Sequence, residues 1–389
     1  RKFGYLSPLQ YLGERYQSTG LRVLLGLSLV LFLFPYLGLQ AVGIGAGMKA
    51  AAGFPFWFGA LYMCVIMVFI CLLGGTRAVA WLNVLLGIIF TVTFFGFMGW
   101  IMIKTGNTSL TEMAGQVQQA RPGFLAMAGM TVLAWPHVVI GTMQAKSLVV
   151  VRKTVIMMLI FSVIFCNIAA IWGYLIAPIL VPGLKGKAAD AIVQIAITKF
   201  LPGWASSATL LAVLAAAIST VATQLMVAGI FVSRDIIFAA SPKVQDRRLI
   251  LWSRLGMVIA AVGSFALAMA RPTELGLLLS NVASPGFALW LPPLIGGILW
   301  KRGTKQGAIA GLVISVLWLI AGSFFYKPLL MGMHPIVAPL AIDTILYIGV
   351  SYLTAPVSKE VQHKFFDELE DFLLEHTAAE RAETAKARG

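Results

Sequence analysis

The sequence predicts an all-α protein that crosses a membrane many times, and three observations carry that prediction. Hydrophobic residues fill 59% of the 389 positions and charged residues only 11%, with a mean hydropathy of +0.90; a soluble domain so composed would aggregate. Apolar segments of about 20 residues, enough to span a hydrocarbon core as a helix, recur along the whole chain. No alternating pattern recurs, which excludes an outer-membrane barrel. Ten spans are expected, near 22–46, 56–74, 79–103, 124–144, 154–177, 205–233, 249–270, 275–299, 306–325 and 335–355.

The net charge of +14 is explained by topology. With a cytoplasmic start and alternating spans, twenty-one of the 29 basic residues fall on inside segments. That asymmetry follows the positive-inside rule, so the basicity is no nucleic-acid patch. Both the first residue and the C-terminus are then cytoplasmic. Cys64, Cys71 and Cys166 all lie within spans, where thiols behave as small apolar groups, and no disulfide framework is implied. The chain opens on Arg1-Lys2-Phe3-Gly4 with neither an initiator Met nor signal-peptide architecture, so sequence upstream is expected to be missing.

Residues 1–20 read as a cytoplasmic amphipathic segment, with Tyr5, Leu9 and Leu12 near helical spacing. Three spans follow, joined by short Gly-rich connections that include Gly74-Gly75-Thr76-Arg77. The fourth span carries Gly123, Gly129 and then Trp135-Pro136-His137; an internal proline frees a backbone carbonyl one turn earlier, so a broken helix lining a cavity is weighed against a simple kink. The outside stretch from Lys187 to Gly203 is amphipathic, with Ile192, Ile195, Ala196 and Phe200 on one stripe, and suits a lid over a vestibule or a plain surface helix. After the transmembrane domain at 1–357, residues 358–389 form a cytoplasmic helix and tail. Val361, Phe365, Leu369, Phe372 and Leu373 share a face there, and the acidic segment is expected either to dock on basic cytoplasmic loops or to fade into a disordered end.

The richest segment is Leu214-Ala-Ala-Ala-Ile-Ser219-Thr220-Val-Ala-Thr-Gln224-Leu225, which sets two adjacent hydroxyls in a membrane-length apolar run. Hydrocarbon offers no water, so these groups must pair with protein or bind something. On a helix the Ala216 carbonyl lies beside side chains three and four residues later, Ser219 and Thr220. Hard oxygens without a fixed negative charge suit Na⁺ better than a divalent ion. The alternative is that both hydroxyls simply bond back to their own helix.

This segment resembles the sodium-binding helix of the sodium:solute symporters, the family of proline, pantothenate and glucose carriers. Four further stretches agree in order: Gly74-Gly75-Thr76-Arg77-Ala78-Val79, Pro136-His137, Ser233-Arg234-Asp235, and Trp300-Lys301-Arg302-Gly303-Thr304-Lys305-Gln306-Gly307-Ala308. His334-Pro335-Ile336-Val337 is similar to the pantothenate branch in particular. The resemblance implies the leucine-transporter fold of two inverted five-helix repeats, with about three N-terminal helices absent from this chain. On that reading this chain by itself cannot transport. The resemblance further implies sodium ligands at Ala216, Ser219 and Thr220. It implies solute contacts at Gln40, Ala128, Val132, Trp135, Pro136, Asn281 and Ser284. Ala128 and Val132 replace a Trp and a Tyr of the proline carriers, which argues against proline as the solute.

Among single residues, Asp343 is the only carboxylate well inside a span. A helix-packing or snorkelling role is favoured over a proton site. His137 has no second ligand-type residue at metal spacing and reads as a polar cap. Asn167 reads as interhelical glue. No nucleophile–base pair, phosphate loop or carboxylate dyad supports an enzyme. The expectation is a bacterial inner-membrane carrier importing a small neutral or anionic organic solute with Na⁺, in contact with lipid and not with nucleic acid. A sensory module, a passive channel and a proton-coupled carrier are the alternatives.

Overall fold

In the computed structural model, the residues described are 2–105, 134–145, 147–161, 164, 172–184, 186–270 and 279–375. All regular structure among them is helical. Helix α1 (Pro8–Arg15) starts where the Ser7 hydroxyl accepts from the Leu9 and Gln10 N–H groups, satisfying donors that a first turn leaves free. Helix α2 (Thr19–Ala52) runs through Pro35 and ends at Gly53 in the left-handed region. Helix α3 (Phe56–Thr105) returns as two membrane-length halves meeting at Gly75, whose φ of +60° and ψ of −172° only glycine adopts freely. The Gly74-Gly75 turn expected from the sequence is therefore a bend between two apolar stretches, Phe56–Gly75 and Val79–Lys104.

Next come α4 (Pro136–Met143), α5 (Leu148–Phe161), α6 (Ile192–Phe200), α7 (Gly203–Ile230) and α8 (Asp246–Ala270). The chain ends with α9 (Ser284–Ala288), α10 (Leu291–Leu299), α11 (Lys305–Ile320), α12 (Val337–Leu353) and a helical tail over residues 359–375. Helix α2 is the hub, packed against α3, α7 and α8. At the α2–α3 crossing a Cβ on Gly45 would sit 2.7 Å from the Phe56 carbonyl, so glycine is what lets the backbones approach.

Seven helices among the described residues are long and apolar enough to cross a membrane. The ten-span expectation differs at identifiable places. Much of 124–144 and 154–177 lies outside the described residues, and α12 is a shorter apolar helix. Asn167 falls in the undescribed part.

Helices α11 and α12 pack antiparallel through small residues. Gly307 faces Ser351, and Gly311 lies against Asp343. The Asp343 side chain is fully buried, with Ser315 Oγ 3.4 Å from one carboxyl oxygen and no partner on the other. This is the helix-packing position favoured for it above.

The cytoplasm-assigned face is closed by a three-way junction. The fully buried Arg15 donates from Nε to the Gly297 carbonyl (3.2 Å) and from Nη2 to the Trp300 and Lys301 carbonyls (3.0 and 3.2 Å). It thereby caps the carbonyl end of α10. Its guanidinium also stacks on Phe366, 4.8 Å from the ring centre. Phe365 meets Phe3 and Tyr11, while Lys301–Asp367, Lys364–Glu14 and Lys2–Glu368 pair at 2.7, 3.3 and 3.2 Å. The acidic tail therefore docks on basic segments, through Phe365 and its neighbours. Burial pushes the Tyr11 hydroxyl up to about 12.

Candidate functional site

Helix α7 carries the hydroxyl pair. Ser219 Oγ donates to the Ala216 carbonyl at 2.8 Å and Thr220 Oγ1 to the same carbonyl at 3.0 Å. Both hydroxyls keep lone pairs after donating, so back-bonding and cation ligation are compatible. One turn later, Asn83 Nδ2 on α3 donates to Thr223 Oγ1 at 2.7 Å. On the next face, Gln224 Nε2 and His137 Nδ1 are 2.6 Å apart. With the amide N–H donating, the imidazole is neutral and links α7 to α4 as a satisfied polar group. No group of three or more metal-type ligands occurs among the described residues.

Between α2, α6 and α7 lies a cavity of about 670 Å³, within the size range of small-molecule sites. Gln40, Ala216 and Thr220 line it, together with Gln194 from α6 and Ser207 from α7. None of its lining residues is charged. The Gln194 side chain is buried and its Oε1 has no hydrogen-bond partner, an unpaired acceptor that costs about 1–3 kcal/mol unless something donates to it.

The expected site residues thus divide. Gln40, Ala216 and Thr220 share one cavity, whereas Ser219 occupies the same helical turn without being on the wall. Trp135 and Pro136 are not on its wall; the helix does break there, Trp135 being extended (φ −74°, ψ 113°) and Pro136 opening α4. The Trp290 indole donates to the Ala134 carbonyl at 2.8 Å, satisfying backbone next to the break. Tyr36, one turn before Gln40, joins these parts, with ring centres 6.2 Å from Trp135 and 5.7 Å from Phe287. Ser284 is buried on α9 beside Phe287. The Asn281 carbonyl accepts from Ser323 Oγ at 3.3 Å. Ala128 and Val132 lie outside the described residues.

The sequence did not single out Tyr36, Gln194, Asn83 or the partner of Gln224. Tyr36 was within reach, since it precedes Gln40 by four residues and so shares its face. The buried side of α6 is broader than the expected stripe: Ala196 is buried and Ile192 and Phe200 pack against the same core cluster, but Gln194 and Ile197 are buried as well. Tertiary packing under α6 chose the face that carries Gln194 into the cavity.

A second geometric element is the close of α7. Arg22 Nε at the start of α2 pairs with Asp235 Oδ1 at 2.9 Å, and Arg22 Nη2 donates to the Arg234 carbonyl at 2.9 Å. Asp235 is fully buried, so this pair holds α2 and the end of the hydroxyl-bearing helix together away from solvent.

Comparison with known proteins decides what this arrangement belongs to. The model of the sodium:solute symporter family matches residues 1–315. The chain belongs to the sodium:solute symporter family. The sodium/pantothenate symporter of Escherichia coli strain K12 is 23% identical over 370 residues, covering 90% of this chain and 75% of the relative. A sodium/proline symporter of Staphylococcus aureus strain USA300 / TCH1516 is 24% identical over 369 residues, covering 87% and 70%. The solved structure of a Na⁺-coupled sialic acid symporter, in a substrate-bound outward-open state, superposes with a TM-score of 0.73 at 19% identity over 92% of this chain and 79% of that one. That likeness carries the fold. This family member is accordingly a multi-pass sodium-coupled symporter of a small organic solute, with Na⁺ as coupling ion.

Proposed function

We propose that this symporter binds its solute in the cavity between α2, α6 and α7, and its Na⁺ at the Ala216 carbonyl with the Ser219 and Thr220 hydroxyls. The observation that carries the reading is that Gln40, Ala216 and Thr220 line one cavity. Ion and solute then bind within a few turns of each other, and one can bias the other's site. By linkage, solute raises sodium affinity as much as sodium raises solute affinity.

Gln40 and Gln194 each offer an amide that both donates and accepts, and Gln194 presents an unpaired acceptor. With no charged wall, the solute is neutral, or anionic with Na⁺ as its counter-charge. Trp135, Asn281 and Ser284 act on the solute through the aromatic group that joins Tyr36 to Trp135 and Phe287, with Pro136, Ala128 and Val132 as further solute contacts. Helix α6 serves as the lid on the outer face. Residues 1–357 form the carrier and 358–389 the cytoplasmic tail, in a bacterial inner membrane with both ends inside.

The test is thermal unfolding of the purified protein with neutral and anionic small solutes, in Na⁺ and in choline at equal ionic strength. A solute that raises the midpoint in Na⁺ only, and fails to do so in Gln40→Leu, supports the reading. A solute acting equally in choline, or unaffected by Gln40→Leu, overturns it.

A further inference from the structure

The first turns of α8 present a cationic face that the protein leaves unpaired. Arg247, Arg248 and Arg254, with Gln245, Ile250 and Leu251, line an open groove of about 510 Å³. Five other cations of this face are satisfied within the chain: Arg15 on carbonyls, Arg22 on Asp235, Lys301 on Asp367, Lys2 on Glu368 and Lys364 on Glu14, whereas single lysines such as Lys243 and Lys305 stand apart from the groove. Among the described residues the three α8 guanidiniums have neither an ion pair nor a side-chain hydrogen bond. Asp246, the adjacent acid in the same turn, pairs with none of them.

Depth makes this informative. Helix α8 has 25 residues, about 37 Å at 1.5 Å each, against a hydrocarbon core of about 30 Å. With Ala270 at the far boundary, about 7 Å of the near end stands outside the hydrocarbon. Arg247 and Arg248 are then about 5 Å above that boundary, and the Arg254 Cα about 5 Å below it. A guanidinium snorkelling up from Arg254 meets the other two at the level of lipid phosphates. The residues between and beside them face outward: Ile250 is 56%, Leu251 55% and Trp252 38% exposed. They offer acyl chains an apolar wall, with an indole at the interface. By the positive-inside rule this end of α8 is cytoplasmic.

We propose that this groove binds the headgroup of an anionic phospholipid of the inner leaflet, with the guanidiniums on phosphate oxygens and the acyl chains along Ile250 and Leu251. Guanidinium forks match phosphate in pairs, and three of them favour a lipid carrying two phosphates over one carrying a single phosphate. Such a lipid would brace the cytoplasmic end of α8, which packs directly against α2 and α7.

The test is native mass spectrometry of the full chain after exchange into detergent carrying phosphatidylcholine, phosphatidylglycerol or diphosphatidylglycerol. Each basic residue at an anionic surface is worth about 1 kcal/mol, or about fivefold in affinity. Diphosphatidylglycerol should bind the unaltered protein most tightly. R254Q should lose about fivefold and R247Q/R248Q/R254Q roughly a hundredfold, with R247K/R248K/R254K between the unaltered protein and the triple Gln variant. Lys305→Gln, which removes another exposed cation assigned to this face, should change binding less than twofold. Unchanged binding in R254Q and in the triple Lys variant, or an equal loss in Lys305→Gln, overturns the proposal. So does displacement of the lipid by millimolar inorganic phosphate, since the groove would then be a site for free anions.

Discussion

Replacing Thr220 by Ala separates the sodium reading from plain helix structure. In the structure the Thr220 hydroxyl makes one bond, to the Ala216 carbonyl of its own helix at 3.0 Å. Losing that bond costs the fold little, because alanine is the better helix former by roughly half a kcal/mol. The midpoint without Na⁺ should therefore hardly move. In the proposed site, however, sodium loses one of its hydroxyl ligands, at a residue on the cavity wall. A tenfold weaker site is the expected scale, as for the loss of one polar contact worth about 1.4 kcal/mol. At a Na⁺ concentration 100 times the original dissociation constant, the stabilisation by ion falls from about 2.7 to about 1.4 kcal/mol. Thermal unfolding in Na⁺ against choline reads this difference directly, and Thr220→Ser should keep most of it. If Thr220→Ala unfolds in Na⁺ and in choline as the unaltered protein does, the hydroxyl is only a helix back-bond and the assignment is wrong.

Three other perturbations probe the frame around the site. Arg15→Ala strips the carbonyl end of α10 of three donated bonds and should cost roughly 3–5 kcal/mol, with Arg15→Lys recovering less than half because an ammonium lacks the planar fork; denaturation midpoints decide. Asp235→Asn leaves Arg22 beside a neutral partner in a dry setting and should destabilise by about 3 kcal/mol, whereas Arg22→Met with Asp235→Met should recover part of the loss, as a double-mutant cycle would show. The docking of the tail should depend on acid. Lys301 beside Asp367 holds that carboxyl below its ordinary value of 3.8, so its contribution is present above about pH 4 and is lost as pH falls through the lowered value. Hydrogen exchange over residues 359–375 should speed up as the pH falls below about 4, beyond the intrinsic pH effect seen in a Lys301→Gln reference.

What could be read in advance were features written in local order. The bend at Gly75, the break at Trp135-Pro136 and the hydroxyl pair on α7 each depend on residues within one or two turns, so spacing alone exposes them. The docked tail was one of two readings open in the sequence, and it was legible for a different reason: an acidic amphipathic helix and basic segments are complementary wherever they meet. What escaped was the identity of partners. Arg22 finds Asp235, Gln224 finds His137 and Asn83 finds Thr223 across separations of 213, 87 and 140 residues, and no periodicity encodes such a pairing. The inward turn of Gln194 escaped for a related reason, since more than one face of α6 was apolar enough to bury and only packing carried Gln194 into the cavity.

The back-bonded geometry of Ser219 and Thr220 also bears on how a coupled site can empty and refill. A hydroxyl left unpaired in a membrane interior is costly, so a site whose ligands lost every partner on release would hold its ion too tightly to cycle. Here both hydroxyls rest on the Ala216 carbonyl and spend one proton each on it. Their oxygens remain acceptors, so Na⁺ can enter without either group first breaking a bond to protein. The carbonyl is the shared element: it already accepts the helix N–H of Thr220 and both O–H groups, so in the proposed site the cation competes with them for that one oxygen while taking the free lone pairs of the hydroxyls. In the proposed site that competition lowers the affinity, which is the direction that alternation between a sodium-rich and a sodium-poor side requires. The same argument predicts that stiffening the rest state is counterproductive. A substitution giving the Ala216 carbonyl a further donor, beyond the two hydroxyls and the helix N–H of Thr220, should weaken sodium binding even though it removes no ligand.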